Sequence, residues 1–165
     1  MKIVIRLVIL VALVALGFWA WTFFFPSPQK AIRDRLNKVA RLASFAANEG
    51  NISRVASIQK LGTYFTEEIE VNVNVPGIDS HTFTRREELT QAAMASKQVV
   101  TSIKAEFVDI NVDLAPDNLS AVADLTLRAN ISGEKDTIVQ ELKFHLNKVN
   151  GEWLIHRIDT VRTLR

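Results

Sequence analysis

The 165-residue chain has no cysteine, one tyrosine, two methionines and six glycines. Without cysteine, disulfides, thiol catalysis, thiolate metal sites and a cysteine-linked lipid anchor are excluded together. The glycines form no phosphate-cradling loop, and no nucleophile elbow, HExxH pair or carboxylate pair at metal-site spacing occurs. Acidic residues are also missing from one region: the first 26 positions hold Lys2 and Arg6 and no Asp or Glu, so the remaining chain carries 18 basic and 18 acidic side chains. A neutral domain lacks the electrostatic footprint of a nucleic-acid binder, and that class is set aside.

What is present begins with a hydrophobic run. Ile3 to Phe25 are 23 residues broken only by Arg6, which stands close enough to the end to snorkel. Phe18, Trp19, Trp21 and Phe23–Phe25 cluster at the distal end, where amphipathic rings favour the interface, and Pro26 and Pro28 stop the helix. Residues 1–26 therefore read as an uncleaved transmembrane signal-anchor, with the lipid bilayer as partner through 3–25. A cleaved signal peptide is the rival, against which stand the length of the run and the bulky aromatics in the cleavage zone. Basic residues on both sides of the run leave orientation open. The expectation is a single-pass membrane protein with its domain exported, either periplasmic or extracytoplasmic.

Residues 27–165 have room for one core. Ser27-Pro28 starts a helix in which Ile32, Leu36, Val39, Ala43 and Ala47 recur at helical spacing as far as Asn48. Asn51 caps a second helix with Ile52, Val55 and Ile58 on one side, closed by Gly62. From Tyr64 to Val75 the period changes to two, predicting a strand that ends at Pro76-Gly77. Thr84 and Glu87 form a capping box for a third helix. Four strands follow, near 100–114, 120–131, 137–149 and 152–164, joined by APDN, SGEKD and NG turns into an antiparallel meander.

This order, with the segment FTRREELTQAA at Phe83–Ala93 and the terminal Gly151, Glu152, Trp153 and Ile155, resembles the nuclear transport factor 2-like (NTF2-like, SnoaL-like) superfamily. The resemblance covers nearly everything after residue 28. It implies an α+β, cystatin-like cone in which about three helices pack on a strongly curved, mostly antiparallel sheet around a pocket. It also implies a possible homodimer through the outer sheet face, and functions that range from small enzymes to secretion-system subunits. Catalytic members carry His, Asp or Tyr in the pocket.

A type I′ turn at Asn150-Gly151 would pair Val149 with Glu152 and, continued without a break, Phe144 with Arg157 and Leu142 with Asp159. That register puts Gln140, Arg157 and Asp159 on the core face. They are the pocket candidates, with Tyr64 near the mouth. Arg157 and Asp159 could bind a polar small-molecule ligand or form an ion pair at the open end of the cone. On the opposite face His145 meets His156, either as a fragment of a metal site or as an exposed pair. With no third ligand in sight, no metal or cofactor is expected. His81 beside Asp79 is a lid residue acting with Tyr64, or a solvated loop histidine.

Three functions fit. The first is a membrane-tethered, non-catalytic scaffold or ligand-binding module. The second is a small lyase, isomerase or hydrolase using Asp159 as general base. The third is a bitopic assembly subunit whose interface bears His145, His156, Leu154 and Ile158. The absence of an acid, base or nucleophile constellation leans away from an enzyme.

Overall fold

The computed structural model describes residues 27–73 and 81–161, together with Ala12, Val14 and Leu16 of the apolar run. Those three are helical and exposed. The predicted span 3–25 otherwise lies outside the described residues, among which no helix is long and apolar enough to cross a membrane. The loop at 76–80, with Asp79, and the chain after Val161 are also outside them.

Helix α1 spans Pro28–Ala43. Ser27 Oγ accepts the Lys30 N–H at 3.3 Å, Pro28 occupies the first turn, and Ile32, Leu36, Val39 and Ala40 form the buried stripe. The helix does not reach Asn48 as its periodicity suggested. Ser44 Oγ accepts the Ala105 N–H at 2.9 Å and Phe45 pairs with Ile103, which draws the chain onto the sheet edge.

Helix α2, Asn51–Gly62, has Gly50 rather than Asn51 as its cap. It buries Ile58 and Leu61 but leaves Ile52 89% exposed, so the predicted apolar side is only partly used. A Cβ on Gly62 would meet Thr90 Cγ2 at 3.2 Å, which is how α2 comes close to helix α3, Arg86–Val99. The capping box is shifted by one residue. Glu88, not Glu87, accepts the Thr84 N–H, at 3.0 Å, because Thr84 belongs to a strand and the helix begins two residues later.

That strand, β2 (His81–Arg85), was not legible locally. It joins β1 (Phe65–Val73), β3 (Ile103–Leu114), β4 (Ser120–Ile131), β5 (Ile138–Val149) and β6 (Glu152–Thr160) in one sheet of order β2-β1-β6-β5-β4-β3. The meander β3 to β6 is antiparallel as expected, and β1 closes on β6 in parallel. Three helices packed with a six-stranded mixed sheet among the residues 27–161 that are described confirm the α+β class. Phe144, Leu146 and Ile155 of the sheet share one buried cluster with Ile32 and Leu36 of α1, each almost wholly buried, so the middle of the helix–sheet space is filled.

Bulges in β3 and β6 break the period of two and help bend the sheet, and the register of β1 also shifts against both its neighbours. In β3 the register shifts between Val108 and Asn111, Asp109 takes φ 55°, and the inward series passes from Phe107 to Ile110 and Val112. In β6 the shift falls at His156. Leu146 pairs with Ile155 as predicted, but His145 then pairs with Arg157 and Phe144 with Ile158.

Candidate functional site

The bulge at His156 decides where the charged groups stand. Residues directly opposite in a pair share a face. Phe144 is buried and Ile158 packs against the core, so Arg157 and Asp159 point away from it with His145 and Lys143. Their predicted place on the core face is therefore corrected, and so is the place of Ile158 on the outer face. Leu154, opposite Asn147, does lie outside.

The other two pocket candidates are also dispersed. Gln140 keeps the core-face parity, but its amide donates to the carbonyls of Val161 and Glu141 at 3.0 and 3.1 Å and ties together the ends of β5 and β6. Tyr64 is buried just before β1 beneath the Arg35 guanidinium, 4.6 Å from the ring centroid, at the opposite end of the sheet. His81 pairs with Val73 at the far end of β1, about 30 Å of strand from Tyr64 at 3.3 Å per residue, and packs edge-on against Phe83. The lid pairing of His81 with Tyr64 is thereby excluded.

What the outer face does assemble is a polar network across β2, β1, β6 and β5, centred on Asp159. One carboxylate oxygen accepts from Arg157 Nε at 2.7 Å and lies 3.3 Å from His145 Nε2, and the other accepts from Asn72 Nδ2 at 3.2 Å. Arg157 also reaches Glu70 at 2.9 Å, and Thr82 donates to Asn72 Oδ1 at 2.9 Å. Glu70 and Asn72 had the right parity in β1, but only its parallel pairing with β6 brings them to Arg157 and Asp159. No local pattern in the sequence announces that pairing.

The electrostatics follow from these contacts. The Arg157 hydrogen bond, assisted by Asn72, holds the Asp159 carboxyl below its ordinary value against the opposing effect of partial burial, and Asp159 in turn raises Arg157. A carboxylate held ionised by a guanidinium is a poor proton acceptor. His156 lies 6.1 Å from His145, ring centroid to centroid, and its pKa is lowered first by partial burial and then by the charges of His145 and Arg157. A shallow cavity of about 340 Å³ opens beside the pair, lined in part by Asp113, Leu114 and Val122. Among the described residues no group of three or more His, Asp or Glu has metal-site geometry.

The chain superposes on solved structures over most of its length. A protein provisionally named scytalone dehydratase, from Novosphingobium aromaticivorans, matches with TM-score 0.61 at 15% identity over 81% of this chain and 83% of its own. A protein with a cystatin-like fold from Caulobacter vibrioides matches with TM-score 0.61 at 16% identity over 81% and 89%. The fold is cystatin-like, of the NTF2-like type. A third NTF2-like neighbour, provisionally named polyketide cyclase, from Xanthomonas campestris pv. campestris, has TM-score 0.50 at 11% identity over 83% and 93%. No family model and no curated protein matches the sequence. At these identities the NTF2-like likeness speaks for the fold and leaves the chemistry to the residues.

Proposed function

We propose that this chain is an NTF2-like binding module, non-catalytic, held at a membrane by residues 3–25 with its domain on the exported side, and that it works through the outer face of its sheet. The observation that carries the reading is the placement of the charged groups. Glu70, Asn72, His145, Arg157 and Asp159 form one network on the outer face, while Leu142, Phe144, Leu146, Trp153, Ile155 and Ile158 of β5 and β6 face or pack against the core and the inward Gln140 is engaged with the Val161 and Glu141 carbonyls. A dehydratase or cyclase such as two neighbours are named for would need an acid and a base on its substrate. Asp159 no longer supplies one inside the cone.

Ordered charges beside the outward Leu154 suit a protein partner or a second copy of this chain better than a buried small molecule. The test is the oligomeric state and ligand response of the full chain in nanodiscs. Self-association, or association with a co-purifying membrane protein, that Arg157→Glu and Leu154→Asp each weaken at least tenfold supports the outer face. A small molecule that stabilises the wild type and both variants equally, and loses its effect in Leu142→Trp, would place function inside the cone and overturn the proposal.

A further inference from the structure

The strand registers order the two ends of the domain. Leu114 pairs with Ala121, Ser120 with Asn147, Val149 with Glu152 and Phe65 with Ile155, so the turns 115–119 and 150–151 and the start of β1 share one end. Helix α1 starts from the same end. Its C-terminus is fixed at the other by Ser44 on Ala105 and Phe45 on Ile103, and its sixteen residues extend about 24 Å at 1.5 Å each, close to the roughly 30 Å of strand from Ala105 to Leu114. The Arg35–Glu152 ion pair at 3.1 Å ties the helix to the last hairpin. The chain therefore enters the domain, at Ser27, at the end where the two turns lie.

Those turns present apolar side chains to the outside. Leu119 is 57% and Val149 40% exposed, and the Lys148 N–H donates to the Leu119 carbonyl at 2.7 Å, which holds the tips side by side. Lys30 and Lys148 belong to the same end. We infer that Leu119 and Val149 form a lipid-facing foot, which enters the interfacial region of the bilayer and sets the tilt of the domain on its tether. The occupant is a lipid surface because the chain that reaches this end is itself a bilayer-length apolar run, of which Val14 and Leu16 are 65% and 61% exposed rather than covered by the domain. Leucine and valine gain by leaving water, and the two lysines can snorkel to lipid phosphates.

This inference rests on the membrane reading, and the experiment separates the two. The chain has no cysteine, so Leu119→Cys, Val149→Cys and, in the turn at the opposite end, Lys135→Cys each give one labelling site. Full-length variants carrying an environment-sensitive fluorophore are reconstituted into phosphatidylcholine vesicles with and without doxyl-labelled lipid, a contact-range quencher. The foot predicts blue-shifted emission at 119 and 149 and quenching at least threefold greater than at 135. Quenching equal to that at 135 in protein that floats with the vesicles overturns the foot and leaves the tether intact. Shielded emission that the lipid quencher does not touch assigns the surface to residues 3–25 of the chain itself and overturns it equally. Failure to float overturns the tether, and the foot with it.

Discussion

Asp159 shows what a single side chain does when a strand changes parity. Facing the core it would have been a candidate base, whereas facing outward it is the acceptor that ties β1, β5 and β6 together. Its folded pKa lies below the unfolded value, so its contribution to stability is present above the ordinary carboxylate range and is lost as pH falls through the folded pKa. Asp159→Asn keeps the shape and removes the charge. We expect it to lower stability by about 1 kcal/mol at pH 7, a charge-assisted hydrogen bond discounted for solvent screening. The gap from wild type should narrow below about pH 4 and close once the wild-type carboxyl is also protonated. Urea unfolding of both proteins from pH 7 to pH 2.5 measures this, and a gap independent of pH would mean that Asp159 acts by packing alone.

At the scale of elements, most of the fold was legible because each strand and helix follows its own period. The bounds of β4 and β5 agree with the alternation of their apolar residues to within a residue, and the I′ turn is present with Asn150 at φ 50° and Gly151 at φ 86°. Illegible were features that depend on a distant partner: β2, which is a strand because β1 lies beside it, and the end of α1, which Ala105 fixes through Ser44. The bulge in β6 is an intermediate case. Its trace is the spacing of Trp153, Ile155 and Ile158, in which two is followed by three, and a strict alternation read past it. That one residue moved the candidate site from the inside of the cone to the outside. The turn before it fixes the register up to the bulge, so Gly151→Ala, which must hold a Cβ at positive φ, should cost about 1 kcal/mol or slightly more. Gly151→Asn, better suited to that region, should recover part of it, and thermal unfolding of the pair distinguishes backbone strain from loss of packing.

For the whole molecule, the question is whether the apolar run is part of the folded domain or a separate element joined to it. Among the described residues, the buried cluster draws on Ile32, Leu36 and Val39 of α1, Leu61 of α2 and inward residues of β1, β3, β4, β5 and β6, which joins the sheet to both helices. Ser27 supplies the cap of α1 from the domain side of Pro26, so the helix that seals the core starts from its own N-terminal signal. Residues 27–165 alone should therefore fold cooperatively and stay in solution without detergent, with a Tm within about 4 °C of the domain transition in the reconstituted full chain, the shift that about 1 kcal/mol makes in a domain of this size. Circular dichroism and calorimetry of the two forms measure it. A fragment that melts without cooperativity would show that residues 3–25 supply core surface, whereas a cooperative fragment confines their role to placing the domain at the membrane, where the outer sheet face and the Leu119–Val149 end would then act as separate surfaces.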